Sequence, residues 1–284
     1  MENPLKGVGL LLVATFLFSM SDGMAKLLGQ RLPVFEISWL RYAIFVLMAL
    51  WLVQRRGRRS LRVRSPGLQI LRGLALVASA FFFVFALTRL PMADAAALGF
   101  VGPLLITLLA IPVLGEVVGP SRWAAIVVGF AGVLIVVRPG AATFEPGALL
   151  VLASAASWAV ASVLTRKMAA WDDAATTVLW SAGTGFVLLS ATMPFVFAWP
   201  TPSDFLLAVL LGVVASSGQY LLVLAYRHAA ASLLAPLSYA QLMWSSSLGF
   251  LLFGAVPDRW TIVGALVIVA SGIFIAQSAR RPKP

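Results

Sequence analysis

The chain has no cysteine, which excludes disulfide staples, thiol catalysis and thiolate metal sites. Its one histidine, His228, cannot by itself supply a multi-histidine metal centre, and a Ser–His dyad would have to recruit that single residue. Charge is scarce, at 11% of 284 residues with only 10 Asp and Glu. No apolar run carries the paired aspartates of an intramembrane protease, and no GxxxxGKS or GxxxxGKT phosphate loop is present. A pore loop or a charged ring of the kind that selects ions is also missing. Little room is left for enzymatic chemistry, and no cofactor is expected.

What the chain does have is hydrocarbon. It is 61% hydrophobic, with a mean hydropathy of +0.98, far beyond what a soluble domain tolerates. Apolar runs of roughly 20 residues recur, each long enough to cross about 30 Å of lipid core. The expected fold is an all-α polytopic membrane protein of ten spans, near 5–29, 34–54, 66–88, 93–114, 120–138, 146–168, 173–198, 203–226, 231–254 and 258–279. Ser65-Pro66, Pro120-Ser121, Pro202-Ser203 and Pro257-Asp258 supply helix-start chemistry at the connections. The first run is read as a span and not as a removable signal, because it is long and carries Asp22 where a cleavage site would need small residues.

Basic residues orient the spans. RRGRRSLRVR, residues 55–64, joins spans two and three. With a cytoplasmic N-terminus this loop falls inside, together with Lys6, Arg122, Arg166, Lys167, Arg227 and the tail Arg280, Arg281 and Lys283. The other side keeps only Arg31, Arg89, Arg138 and Arg259. Lys and Arg bias sets orientation, so both termini are expected in the cytoplasm of a bacterial inner-membrane protein. The net charge of +11 then reports topology and contact with anionic lipid, and no nucleic-acid partner is expected.

The chain also matches itself. At an offset of 140, Gly7, Phe18 and Lys26 align with Gly147, Trp158 and Arg166; at 139, Ala86 aligns with Ala225 and Gly115 with Gly254. FALTRLPMADAAAL and LAYRHAAASLLAPL are counterparts, each ending one span and opening the next. Residues 1–140 and 141–284 thus read as two repeats of five spans. Five is odd, so the second half is expected to enter the membrane from the opposite side, as in many secondary transporters.

With KGVGLLLV at 6–13, ALTRLPMADAAAL at 86–98, LGE at 114–116 and GFAGVLIV at 129–136, the chain resembles the drug/metabolite transporter superfamily, EamA type, over nearly its whole length. The resemblance implies two five-helix repeats and a small-molecule substrate. Within the superfamily, size and cavity chemistry are most similar to the small bacterial exporters of aromatic amino acids. Two departures stand out: Gly254-Ala255 where the family often keeps Gly-Glu, and SYAQLMWSSS at 238–247, whose proline comes earlier, at Pro236.

Candidate substrate-binding residues follow from the same frame. Within LFSMSDGMAK, residues 17–26, Phe18, Asp22 and Lys26 lie four apart and share a helix face. Their counterparts are Trp158, Ser162 and Arg166. Asp22 either pairs with Lys26 one turn on or binds a substrate ammonium or a proton; the sequence leaves both open. Tyr239, Gln241 and Trp244 in span nine, Gln219 in span eight and Phe100 in span four complete the set. Ser181, Thr184, Ser216, Tyr220 and Ser245 are further polar or aromatic positions. Hydroxyls and amides suit the ends of a zwitterion and rings suit its side chain.

Trp51, Trp123, Trp171, Trp199 and Trp260 read as interfacial anchors, GFAG at 129–132 with Gly264 and Gly272 as close-packing positions, and Arg41 as a group reaching for headgroups. The functional expectation is export of amino acids, with amphipathic cations included, by alternating access, from a monomer or homodimer in the lipid bilayer. Proton-coupled multidrug export, a lipid flippase with basic groups such as Arg41 and Arg72 at a lateral opening, and a non-transporting membrane partner remain the alternatives.

Overall fold

The computed structural model describes residues 4–56, 63–115, 118–138, 145–168, 171–172, 174–228 and 240–278. They form eleven α-helices: α1 (Pro4–Leu28), α2 (Val34–Arg56), α3 (Pro66–Leu87), α4 (Met92–Gly99), α5 (Gly102–Leu114), α6 (Pro120–Val137), α7 (Gly147–Met168), α8 (Ala174–Val196), α9 (Pro202–His228), α10 (Ala240–Phe253) and α11 (Arg259–Ser278). No strand occurs among the described residues. In lipid every backbone polar group must be satisfied within its own segment, and helices do this for so apolar a chain.

Seven stretches are long and apolar enough to cross a membrane, and Trp123–Val137, Ala240–Phe253 and Arg259–Phe274 are apolar but shorter. The start of the expected span 231–254 lies outside the described residues up to Ala240.

The starts and stops obey local rules. Pro66, Pro120 and Pro202 each stand at the first position of a helix, where a missing N–H costs nothing. α5 and α10 end on glycines in the left-handed region, Gly115 at φ 69° and Gly254 at φ 65°. Each donates its N–H back four residues, to Ile111 at 3.0 Å and to Phe250 at 2.9 Å. These are the paired glycines of the repeat, and both fill the role that the absence of a Cβ permits.

Span four departs from expectation. The continuous helix expected over 93–114 is two helices, with Phe100 and Val101 in the turn between them. The cause is Pro103, which has no N–H for the Gly99 carbonyl and whose ring crowds it.

The helices pair across the chain. α1 packs mainly on α9, α3 on α7, α2 on α8 and α6 on α11; α1 also meets α10, and α5 meets α7. The α6–α11 crossing is close, as its glycines predict. A Cβ on Gly264 would lie 2.7 Å from the Gly132 carbonyl oxygen, and one on Gly132 would lie 3.0 Å from that of Gly264. The Ser271 hydroxyl donates to the Ala125 carbonyl across the same seam.

The bundle ends differ. At one end the α1–α2, α3–α4, α8–α9 and α10–α11 connections are tied by side chains: Arg31 to Asp204 at 3.1 Å, Arg138 to Asp258 at 2.6 Å, and Thr261 to Asp94 at 2.9 Å. At the other end Asp172 accepts from the Gln69 amide at 2.7 Å and from the Arg64 backbone N–H at 3.0 Å.

Candidate functional site

The α1–α10 seam carries the chemistry. Asp22 is buried in the C-terminal half of α1, six residues from its end, and two groups act on its carboxyl from other helices, the Arg41 guanidinium of α2 and the Gln241 amide of α10. One turn earlier, the Ser19 and Ser245 hydroxyls are 3.0 Å apart, and Ser19 also reaches the Gln241 carbonyl at 3.3 Å. Trp244 meets Phe16 edge to face, with centroids 5.5 Å apart. Its indole N–H and the Ser21 hydroxyl are buried without a hydrogen-bond partner among the described residues. Such orphaned groups in the bundle interior cost stability.

The i, i+4 spacing of Asp22 and Lys26 does not become an ion pair. The Lys26 ammonium donates instead to the Leu87 carbonyl at 2.6 Å and to the Leu90 carbonyl. It also stands 5.5 Å from the centre of the Phe253 ring. The carbonyls at the end of α3 have no intrahelical donors, and a cation there also suits the helix dipole. Arg41 sits about 10 Å along α2 at 1.5 Å per residue, and its charge acts on the Asp22 carboxyl.

The remaining candidates fall in two further neighbourhoods. Phe18 lies over the backbone of α9, where a Cβ on Gly218 would be 3.1 Å from its ring. Gln219, the next residue of α9, is half-buried. Phe100 forms the α4–α5 break, and Trp158 of α7, 42% exposed, approaches Gly102 just past that break at 3.9 Å from its Cβ position. Tyr239 lies outside the described residues. The structure therefore brings Asp22, Gln241 and Trp244 onto one seam, Phe18 onto the α1–α9 seam, and Phe100 and Trp158 to the break, with Gln219 half-buried on α9.

Two further expectations are corrected. Ser181 is occupied: the Arg72 guanidinium donates to it, and its hydroxyl donates to the Thr177 carbonyl at 2.8 Å. Arg72 also bonds Thr165 at 2.6 Å, so it bridges α3, α7 and α8 and does not line a lateral opening to lipid. Gln69 and Ser19 were the polar residues that periodicity passed over; their signal was only a polar side chain inside an apolar run.

A bundle of apolar helices with an internal acidic site, a broken helix and no catalytic constellation among its described residues defines a class, the multi-pass membrane transporters. The chain belongs to the EamA-like transporter family, which matches residues 5–138 and again residues 145–277. The family consists of transporters and not enzymes. The chain is 31% identical to an S-adenosylmethionine uptake transporter of Rickettsia prowazekii over 285 residues, 99% of this chain and 96% of that one. It is 30% identical to a riboflavin transporter of Vibrio cholerae, covering 97% and 94%. It is 27% identical to the pseudopaline exporter CntI of Pseudomonas aeruginosa, covering 96% and 97%. A solved crystal structure with 25% identity superimposes with a TM-score of 0.64 over 98% of both chains.

Proposed function

We propose that the protein is a secondary transporter of the bacterial inner membrane that carries a small ammonium-bearing metabolite, an amino acid or an amino-acid derivative, out of the cell. It works by alternating access between two inverted five-helix halves, with ten spans in all and both termini in the cytoplasm. The observation that carries this reading is Asp22, a buried carboxylate on which Gln241 and Arg41 act, on a seam where the Trp244 indole N–H has no partner among the described residues. An intramembrane carboxylate is costly and faces a path or a partner. In this reading an ammonium pairs with Asp22, a carboxylate with Arg41, and a ring packs against Trp244 and Phe16.

The packing supports the inverted repeat. If the halves exchange, α1–α9 becomes α7–α3, α1–α10 becomes α7–α5 and α2–α9 becomes α8–α3, and each of these pairs packs together. The relatives named above carry S-adenosylmethionine, riboflavin and pseudopaline. The first of these is an amino-acid derivative, so a head group of this kind with a large ring system lies within the range of such folds. Phe18, Gln219, Phe100, Trp158 and Tyr239 complete the proposed path.

Counterflow into proteoliposomes is the test, with labelled tryptophan or S-adenosylmethionine outside and unlabelled compound inside, with and without a pH gradient. Saturable exchange of at least one is expected. Exchange of neither, from protein that is folded and inserted, overturns the substrate class. Dependence on the pH gradient that disappears in Asp22→Asn assigns proton coupling to that residue.

A further inference from the structure

A second buried acid stands apart from the α1–α10 seam and has no role in the mechanism above. Glu36, in the first turn of α2, has no solvent-accessible surface. Its Oε2 accepts the Ala198 N–H at 3.0 Å, while Oε1 is buried with no partner among the described residues. No basic side chain is among the groups that act on it. The nearest basic residue in sequence on its N-terminal side, Arg31, is bound to Asp204.

Glu36 lies buried against the base of a cleft of about 380 Å³ whose walls include Trp39, Phe197, Trp199 and Phe205. The walls are held in place. The Trp39 indole donates to Ser190 at 2.8 Å and its ring stacks on Phe186. Phe197 and Trp199 meet edge to face at 5.3 Å. Because the Trp39 N–H is already bonded to Ser190, what this ring can offer a ligand is its π-face.

A pocket of several hundred Å³ is of ligand size. Aromatic faces carry negative charge density and draw alkylated cations, and a carboxylate that lacks a partner beneath them adds a full charge with little water to screen it. Anions are repelled on both counts, and an inorganic cation would surrender its hydration to rings that return few bonds. We propose that this cleft, at the end of the bundle that holds the α1–α2 and α8–α9 connections, is a binding site for an organic monocation with an alkylated ammonium or sulfonium centre. The site does not depend on the transport reading, because binding is measured without any gradient or flux.

The experiment is calorimetric titration of the full chain in lipid nanodiscs with choline and with its neutral isostere, 3,3-dimethylbutan-1-ol. Saturable choline binding is expected, with the isostere at least about tenfold weaker. Glu36→Gln should lose about tenfold in choline affinity and almost nothing for the isostere. Trp199, 90% exposed, can be removed without disturbing the fold, and Trp199→Leu should lose about threefold to fivefold. That variant and the wild-type ratio of choline to isostere decide the matter if Glu36→Gln does not fold. Equal binding of the two probes, no saturable binding, or unchanged affinity in folded Glu36→Gln overturns the proposal. Weaker choline binding in nanodiscs containing phosphatidylethanolamine than in phosphatidylglycerol alone assigns the site to lipid head groups; equal binding assigns it to a soluble cation. Either outcome upholds the cation site.

Discussion

Two seams of the bundle use opposite chemistry. Along α6–α11 the contact is dry and nearly backbone to backbone, with Gly132 and Gly264 facing each other's carbonyl oxygens. Along α1–α10 the contact is polar, with Ser19 on Ser245, Gln241 beside Asp22 and an indole N–H left unpaired. The first seam gains dispersion contact from small residues. The second gives up stability to keep polar groups available. Small residues at one seam and an orphaned donor at the other separate what holds this protein together from the seam proposed to serve its substrate.

The largest effect should come from breaking the dry seam. A Cβ at position 264 would stand 2.5 Å from Val136 Cγ2, so Gly264→Leu should leave no monodisperse protein on size exclusion. Gly264→Ala should fold but lose about 2 to 3 kcal/mol in detergent melts. Next comes the end of the polar seam. Lys26→Met leaves the Leu87 and Leu90 carbonyls without their donor and should cost about 2 to 4 kcal/mol by the same measurement. A result near zero would mean that those carbonyls find water.

Asp22→Asn should separate the two properties. It should melt close to wild type and transport about tenfold or more slowly in counterflow, from loss of charge-assisted hydrogen bonds to substrate. Unchanged transport would make the seam purely structural.

The smallest effect is expected outside the spans, at Asp258. Partial burial raises its pKa, but the Thr261 N–H and hydroxyl and the Arg138 guanidinium outweigh that and hold the carboxyl below the usual carboxylate range. A depressed folded pKa contributes stability that is present above the unfolded value and is lost as pH falls through the folded one. Melting temperature should therefore fall below about pH 4, and Asp258→Asn should remove that part of the slope. At 44% side-chain exposure solvent screens most of the gain.

Much of this arrangement was legible in the sequence. Long apolar runs, prolines at helix starts and glycines near 129–132 and at 264 each act locally, so the helices and the dry seam could be read from them. The break at Phe100 was not read because hydropathy runs unbroken through Met92–Leu114 and only Gly102-Pro103 betrays it. Spacing along one helix offered Lys26 as one of two possible partners for Asp22. The folded chain gives Asp22 to Arg41 and Gln241, 19 and 219 residues away, and gives Lys26 to backbone carbonyls, which carry no mark in a sequence. Ser181 looked free for the same reason, since its partner Arg72 is on another helix.

The Gly132–Gly264 contact has a mechanical consequence. Where two helices touch through their backbones there are no long side chains to slide and reseat, so the relative motion left to them is rotation about the point of contact. A carrier that rocks must have an axle, and an axle works best where the two moving parts come closest and carry the least padding. If the two halves rock as proposed, the α6–α11 crossing is that place in this chain, and the arc swept by the rest of each half grows with distance from it.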